Sequence, residues 1–248
     1  MKKILSTLAF GAVMATGANA DVIRVEAGAG VWAQSPSGTI TYDDGSVTGT
    51  YTSKEDEYSG VYAWMLIKHP LPVIPNLRLE YTDIKDEGMV DGSFEDFTST
   101  NSPARIKLKE YDILPYYNIL DNTFWATLDL GLNVRIIDST IEVDTTSTGN
   151  SYKDSSTVVI PMLYARVRTE IPMTNFGLET DVKYISYDGS TVYDVRAKVD
   201  YTFDITPLIQ PALEVGYRVQ KFNTISDDDK TKMDMDFSGM YAGLMFRF

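Results

Sequence analysis

Residues 176–201, FGLETDVKYISYDGSTVYDVRAKVDY, form two alternating runs folded about Asp188-Gly189. Asp-Gly is a preferred pair for a two-residue type I′ turn, which sets Tyr187 opposite Ser190. Counting outward, Lys183 faces Asp194, Asp181 faces Arg196 and Glu179 faces Lys198. On the other face Tyr184 meets Tyr193, Val182 meets Val195, Leu178 meets Val199 and Phe176 meets Tyr201. One face is a column of opposite charges and the other an apolar, aromatic surface. In a soluble sandwich the apolar face is the core. In a membrane barrel it meets lipid, and the charges line the lumen. The hairpin alone fits both, so the choice falls to the ends of the chain.

The chain opens with Lys2 and Lys3, an apolar run from Ile4 to about Ala15, and Ala18-Asn19-Ala20. This is the order of a secretory signal, with cleavage expected after Ala20 and a mature domain over residues 21–248. The apolar run is shorter than the ~20 residues a spanning helix requires. Losing Lys2 and Lys3 takes the formal charge from −13 to −15, a balance that disfavours nucleic acid as a partner. There is no cysteine, which excludes disulfides, thiolate metal sites and a lipidated cysteine at the mature N-terminus.

The mature chain reads as ten amphipathic strands. The first, about Val22 to Trp32, alternates with period two. The second, Val61 to Lys68, is apolar on both faces and its register stays open. Gly28 and Gly30 leave lumen space for Tyr62 or Trp64. Three prolines in HPLPVIPN make a short turn before the third strand, 77–82. The fourth, about 105–117, shifts phase near Lys109-Glu110, where a bulge is expected. Leu120-Asp121-Asn122-Thr123 reads as a tight turn, followed by an apolar face from Phe124 to Ile136. The sixth strand spans 159–171, the hairpin supplies the seventh and eighth, and Leu213 to Gln220 and about Met235 to Phe248 complete the set. Polar segments 34–59, 85–103 and 138–156 read as long loops, opposite short turns such as Pro172–Asn175 and Thr206-Pro207 to Pro211. Short turns on one side and long loops on the other fit an all-β, transmembrane, antiparallel up-and-down barrel of ten strands, with eight as the alternative count.

The last strand carries Met240, Ala242, Leu244, Phe246 and Phe248 at alternate positions. This resembles the C-terminal signal of bacterial outer-membrane proteins, which implies recognition by the barrel-assembly machinery. With HPLPVIPNLRLEY, the chain resembles a little-characterised family of Gram-negative outer-membrane β-barrel proteins. That resemblance covers the mature chain and implies fold and bacterial outer-membrane location, with outer-membrane lipid and lipopolysaccharide as surroundings. It brings no catalytic residue.

Barrel hydrolases pair a histidine with an acid or a serine, and the base must reach its partner. The single histidine, His69, falls in a turn on the side opposite the long loops, so no enzyme and no cofactor is expected. The expected lumen network is Glu179, Asp181, Lys183, Asp194, Arg196, Lys198, Glu214 and Arg218, joined by Arg24, Glu26, Arg78, Glu80, Asp129, Arg135, Arg166 and Arg168. It fits two roles, a structural filling or the lining of a narrow solute path, and ten strands lie near the filled end of barrel sizes. The loop acids Asp43-Asp44, Glu55-Asp56-Glu57, Asp86-Glu87, Glu95-Asp96 and Asp227-Asp228-Asp229 offer weak divalent-cation binding, although none has calcium-loop spacing. Met233, Met235, Met240 and Met245 read as barrel residues. Tyr62, Trp64, Tyr81, Tyr111, Tyr116, Tyr117, Trp125, Tyr193 and Tyr201 suit aromatic girdles. The reading is a structural or surface-interaction barrel displaying acidic loops, with a narrow channel as the alternative and a hydrolase last.

Overall fold

The computed structural model describes residues 23–71, 73–94, 97–123, 125–145, 150–206, 209–225 and 229–248. The leader 1–20 lies outside them, as do Pro72, Glu95, Asp96, Phe124, Pro207, Asp227 and Asp228. The strands are β1 (Arg24–Asp43), β2 (Thr48–Ser53), β3 (Tyr58–Lys68), β4 (Asn76–Ser93), β5 (Thr98–Thr123), β6 (Ala126–Thr145), β7 (Asn150–Glu170), β8 (Phe176–Tyr187), β9 (Ser190–Thr202), β10 (Gln210–Ile225) and β11 (Thr231–Arg247). Each pairs antiparallel with its neighbours, and β11 pairs with β1 to close the barrel. Closure satisfies backbone groups between neighbouring strands, as a hydrocarbon surrounding requires.

The barrel has ten strand positions, as the sequence indicates, with β2 and β3 sharing one of them. β3 pairs with the lower half of β1, and β2 takes over beside Thr39–Asp43 and Gly88–Gly92. Where β3 has left and β2 has not begun, the buried Gln34 side chain bridges the gap. Its Nε2 donates to the Asp83 carbonyl at 2.7 Å, and its Oε1 accepts from the Lys85 N–H at 3.2 Å. Gly60 makes room for it, since a Cβ there would lie 2.0 Å from the Asp83 carbonyl oxygen.

The three segments expected as long loops are mostly paired strand. β1 runs on through Asp43, β4 to Ser93, and β6 and β7 extend to Thr145 and Asn150. The tight turn expected at 120–123 is instead the irregular end of β5, where register shifts occur after Asn118 and after Leu120. No bulge interrupts β5 at Lys109-Glu110, and its pairing with β4 is continuous from Pro103 to Tyr116. The surroundings change there, while the backbone does not. Outward residues on β5 pass from Tyr117, Pro115, Ile113 and Tyr111 to Lys109, Lys107 and Arg105, while inward residues pass from Asp112 and Glu110 to Leu108 and Ile106.

The same exchange occurs on the other strands at nearly the same level. Outward Tyr81 gives way to Asp83, Ile136 to Asp138, Tyr193 to Thr191 and Val219 to Lys221. Inward, Thr82 gives way to Ile84, Arg135 to Ile137, Asp194 to Val192 and Gln220 to Phe222. Below this level the barrel is apolar outside and charged inside, as lipid requires. Above it, the barrel is polar outside with a buried apolar core, as water requires. The apolar stretch Met240–Phe248 of the last strand fits the ~9–11 residues of a tilted spanning strand.

Gln34→Ala should lower the unfolding free energy by about 1–3 kcal/mol, because it removes two hydrogen bonds to half-buried backbone groups. The urea midpoint of the refolded barrel measures this, and an unchanged midpoint would mean that Gln34 does not bridge the break.

Candidate functional site

The turn at Asp188-Gly189 has φ of 48° and 76°, the left-handed conformation a type I′ turn needs. β8 and β9 pair in the register counted from it: Glu179 with Lys198, Asp181 with Arg196 and Lys183 with Asp194. The structure places all eight expected network residues in the lumen, buried.

Their strongest contacts run across the lumen as well as along the hairpin. Lys183 Nζ lies 2.5 Å from Glu80 and 2.7 Å from Asp112, closer than the 3.5 Å to its ladder neighbour Asp194. Arg196 contacts Asp181 at 2.8 Å and Glu80 at 2.5 Å. Arg218 holds Asp194 through two nitrogens at 2.9 and 2.7 Å. Lys198 pairs with Glu214 at 2.9 Å and lies over the Trp64 ring. From the far wall Arg135 grips Asp112 with two bonds of 2.8 Å and reaches Asp194 at 2.5 Å. Nearer the short turns, Arg166 joins Asp129 and Glu179, while Arg168 and Arg247 share Asp200.

Glu110, Asp112, Asp200 and Arg247 are network members that sequence reasoning missed. The expected bulge hid the first two, and strict alternation from Tyr111 would have found them. Tyr62, Trp64 and Tyr116 belong to the lumen, where they are buried, and not to a girdle. Tyr62 and Trp64 both donate to Glu214, at 2.8 and 3.1 Å, in the space left by Gly30 and Gly28. Tyr81, Tyr111 and Tyr193 stand outward at the inversion level, while Tyr117, Trp125 and Tyr201 stand outward toward the short turns. The Trp32–Trp64 side of the lumen encloses a cavity of about 10 Å³, the size of one water.

Above the charges, Ile84, Leu108, Ile137, Val192, Phe222 and Phe237 form part of an apolar plug. At the mouth, stacked rings of Tyr42, Phe94, Phe97 and Tyr152 span from β1 to β7. Of the acids expected in loops, Asp86 is buried inside this upper section. It accepts hydrogen bonds from Tyr51 at 2.6 Å and Ser53 at 2.9 Å. Asp44 lies in the β1–β2 turn, where the Ser46 hydroxyl and the amides of Val47 and Ser46 hold its carboxyl down to about 2. Among the described residues no three of His, Cys, Asp and Glu converge on a metal-sized site.

His69 supports the turn it belongs to. Its Nδ1 accepts from the Leu71 N–H at 3.2 Å, and its Nε2 lies 3.1 Å from the Pro75 carbonyl. The terminal residues help close the barrel. Phe248 exchanges backbone bonds with Val25, and Leu244, Phe246 and Phe248 point outward.

Asp181→Arg should cost about 3–5 kcal/mol, because it leaves Arg196 short of its main partner and buries a further cation. Adding Arg196→Asp should recover only part of this loss, since the new carboxylate would face Glu80. Full recovery in urea melts would mean that Glu80 does not engage Arg196.

Burial pushes the Asp86 carboxyl up, against the opposing effect of its two hydroxyl donors. Its folded-state proton affinity therefore exceeds the unfolded one. Native stability is gained as pH falls through the raised value, until the unfolded carboxylate near ~3.9 also protonates. Acidification from pH 7 should stabilise the natural chain relative to Asp86→Asn. Parallel midpoint-versus-pH curves would show that Asp86 does not titrate in this range.

No family profile and no curated protein matches the chain. Among solved structures it is similar to the outer-membrane protease OmpT of Escherichia coli, with a TM-score of 0.57 at 10% identity, over 92% of this chain and 97% of that one. Other matches are the translocator domain of autotransporter NalP from Neisseria meningitidis (TM-score 0.44, 13% identity, 93% and 90% covered) and Neisserial surface protein A (0.32, 12%, 90% and 95%). At such identity the likeness to OmpT concerns the fold alone, and it agrees with the closed, inside-out architecture. The chain has the fold of a Gram-negative outer-membrane β-barrel.

Proposed function

We propose that this is an integral outer-membrane barrel with a sealed lumen, acting as a structural or surface-interaction protein without a solute path or a reaction of its own. The observation that carries this reading is charge balance. Below the inversion the described lumen buries ten acids and nine bases. The tenth cation, Arg24, pairs with Glu26 at 2.6 Å at the short-turn mouth. A path made ion-selective by charged side chains presents rings of one sign to water. Here the charges neutralise one another, and the apolar plug above adds a second barrier that a hydrated ion would have to cross.

The likeness to a protease brings no chemistry with it. His69 is at the opposite end from the upper barrel, engaged in its own turn. In this reading the apolar belt meets outer-membrane lipid and lipopolysaccharide, β11 is the element read by the assembly machinery, and the acidic hairpin tips meet cations weakly.

The purified barrel should give no conductance steps in planar bilayers. Stable steps with ion selectivity would overturn the sealed-lumen reading in favour of the narrow channel.

A further inference from the structure

The ladder between β7 and β8 ends early. It runs from Glu170 and Gly177 to Leu163 and Tyr184 and stops, whereas β6 stays paired to β7 as far as Thr145 and Asn150. Pro161, just past the last pair, has no N–H to give a ladder. The β8–β9 hairpin turns back at Asp188-Gly189, close to the inversion level, while its neighbours continue upward. Among the described residues, the β8 side of β7 carries no ladder pair from Lys153 to Met162. Ile136 and Asp138, which bracket the inversion, pair with Val159 and Thr157, so Lys153 to Val158 leave roughly 20 Å of open strand edge in the upper wall at ~3.3 Å per residue.

The inner face of β7 is open there too. Val158 faces the lumen side yet is 50% exposed, and Asp154 and Ser156 on the same face are exposed as well. The inward Ile137 and Val143 of β6 are buried. The lower end of the notch therefore presents an apolar patch, Val158 with the half-buried Ile160 and Ile185, beside unpaired backbone. Hydrocarbon would cover the patch but leave the N–H and C=O groups unsatisfied, whereas an added strand covers both. The charges around the notch choose among strands. Asp138, Asp144, Asp154 and Asp188 are all exposed, and the Lys153 ammonium is held by Glu142 at 2.9 Å.

We propose that this notch binds an extended, basic segment of a partner polypeptide by strand addition along β7, with alternate apolar side chains packing on Val158, Ile160 and Ile185. The proposal rests on the surface-interaction reading and names the chemistry of its partner. The probe is a ten-residue peptide alternating valine with lysine, titrated by fluorescence anisotropy against the full refolded barrel in micelles. Micromolar binding is expected. At least tenfold weakening is expected from N-methylation of alternate peptide amides, from replacing lysine by glutamate, and from Asp154→Asn with Asp188→Asn. The last pair keeps a residue tolerant of the left-handed turn, and heat-modifiable gel mobility verifies its folding. Hydrogen exchange gives a second readout: alternate amides between Lys153 and Ile160 should exchange freely in the free barrel and become protected with the peptide. Protection without peptide would mean the edge is already covered and would overturn the proposal. So would no binding, or equal binding of the N-methylated or acidic peptide. Bilayer conductance bears on the sealed lumen alone, so failure of that reading and failure of this one are separately visible.

Discussion

Mutual neutralisation of charge in the lumen is the interaction on which the rest of the barrel depends. A lone buried carboxylate or guanidinium carries a desolvation penalty of several kcal/mol, repaid only by close, hydrogen-bonded partners. Every strand from β4 to β11 contributes to the arrangement that supplies them. Asp112 on β5 binds Arg135 of β6 and Lys183 of β8, Glu80 on β4 binds Lys183 and Arg196, and Asp194 on β9 binds Arg135 and Arg218. Side chains that meet in mid-lumen fix the distance between opposite walls, so the network sets the bore as well as filling it. A register slip of one residue in any of these strands would turn its charges into lipid and its apolar residues into the network.

The change of solvent along the strands divides the molecule into two regimes with one continuous backbone. Below the inversion the exterior is held by lipid and the interior by ion pairs. Above it, burial of Ile84, Ile106, Leu108, Val143, Phe222 and Phe237 supplies a conventional core. The upper section therefore resembles a soluble barrel mounted on a membrane one. Its polar exterior is what makes segments 34–59, 85–103 and 138–156 look like loops when composition alone is weighed.

That distinction explains how far the fold was legible in the sequence. The strand number and the β8–β9 register followed from a two-residue turn whose geometry leaves little choice, and from a period of two that holds in either solvent. Reading Lys109-Glu110 as a bulge failed because a period-two pattern was assumed to keep the same polarity along the whole strand. At that point the alternation continues and only the surrounding solvent changes. The lumen partners of Lys183 were not legible for a different reason. Its contacts to Glu80 and Asp112 are made across the bore, at sequence separations of 103 and 71, and no pairing rule along adjacent strands predicts them. Tyr62 and Trp64, on a strand apolar on both faces, fitted both a girdle and the lumen space left by Gly28 and Gly30, and pairing with those glycines sets both inside.

In the sealed-lumen reading, the question of function shifts to the upper wall. If neither ions nor solutes cross the network, whatever the protein exchanges with its surroundings passes through surfaces above the inversion level. Most of that wall is closed by paired hairpins with alternating charge and hydroxyl outward, a surface suited to water and to little else. The wall is interrupted where β8 and β9 turn back beside a length of β7 that, among the described residues, has no partner on its β8 side. An open edge is a liability that natural sheets cover or blunt, and Pro161 and Lys153 blunt this one only at its two ends. The stretch between them, Asp154 to Ile160, retains β-branched residues at Thr157, Val158, Val159 and Ile160. Such a sequence strongly favours extended pairing, so the part of the wall least constrained by the barrel itself is also the part best prepared to accept another strand.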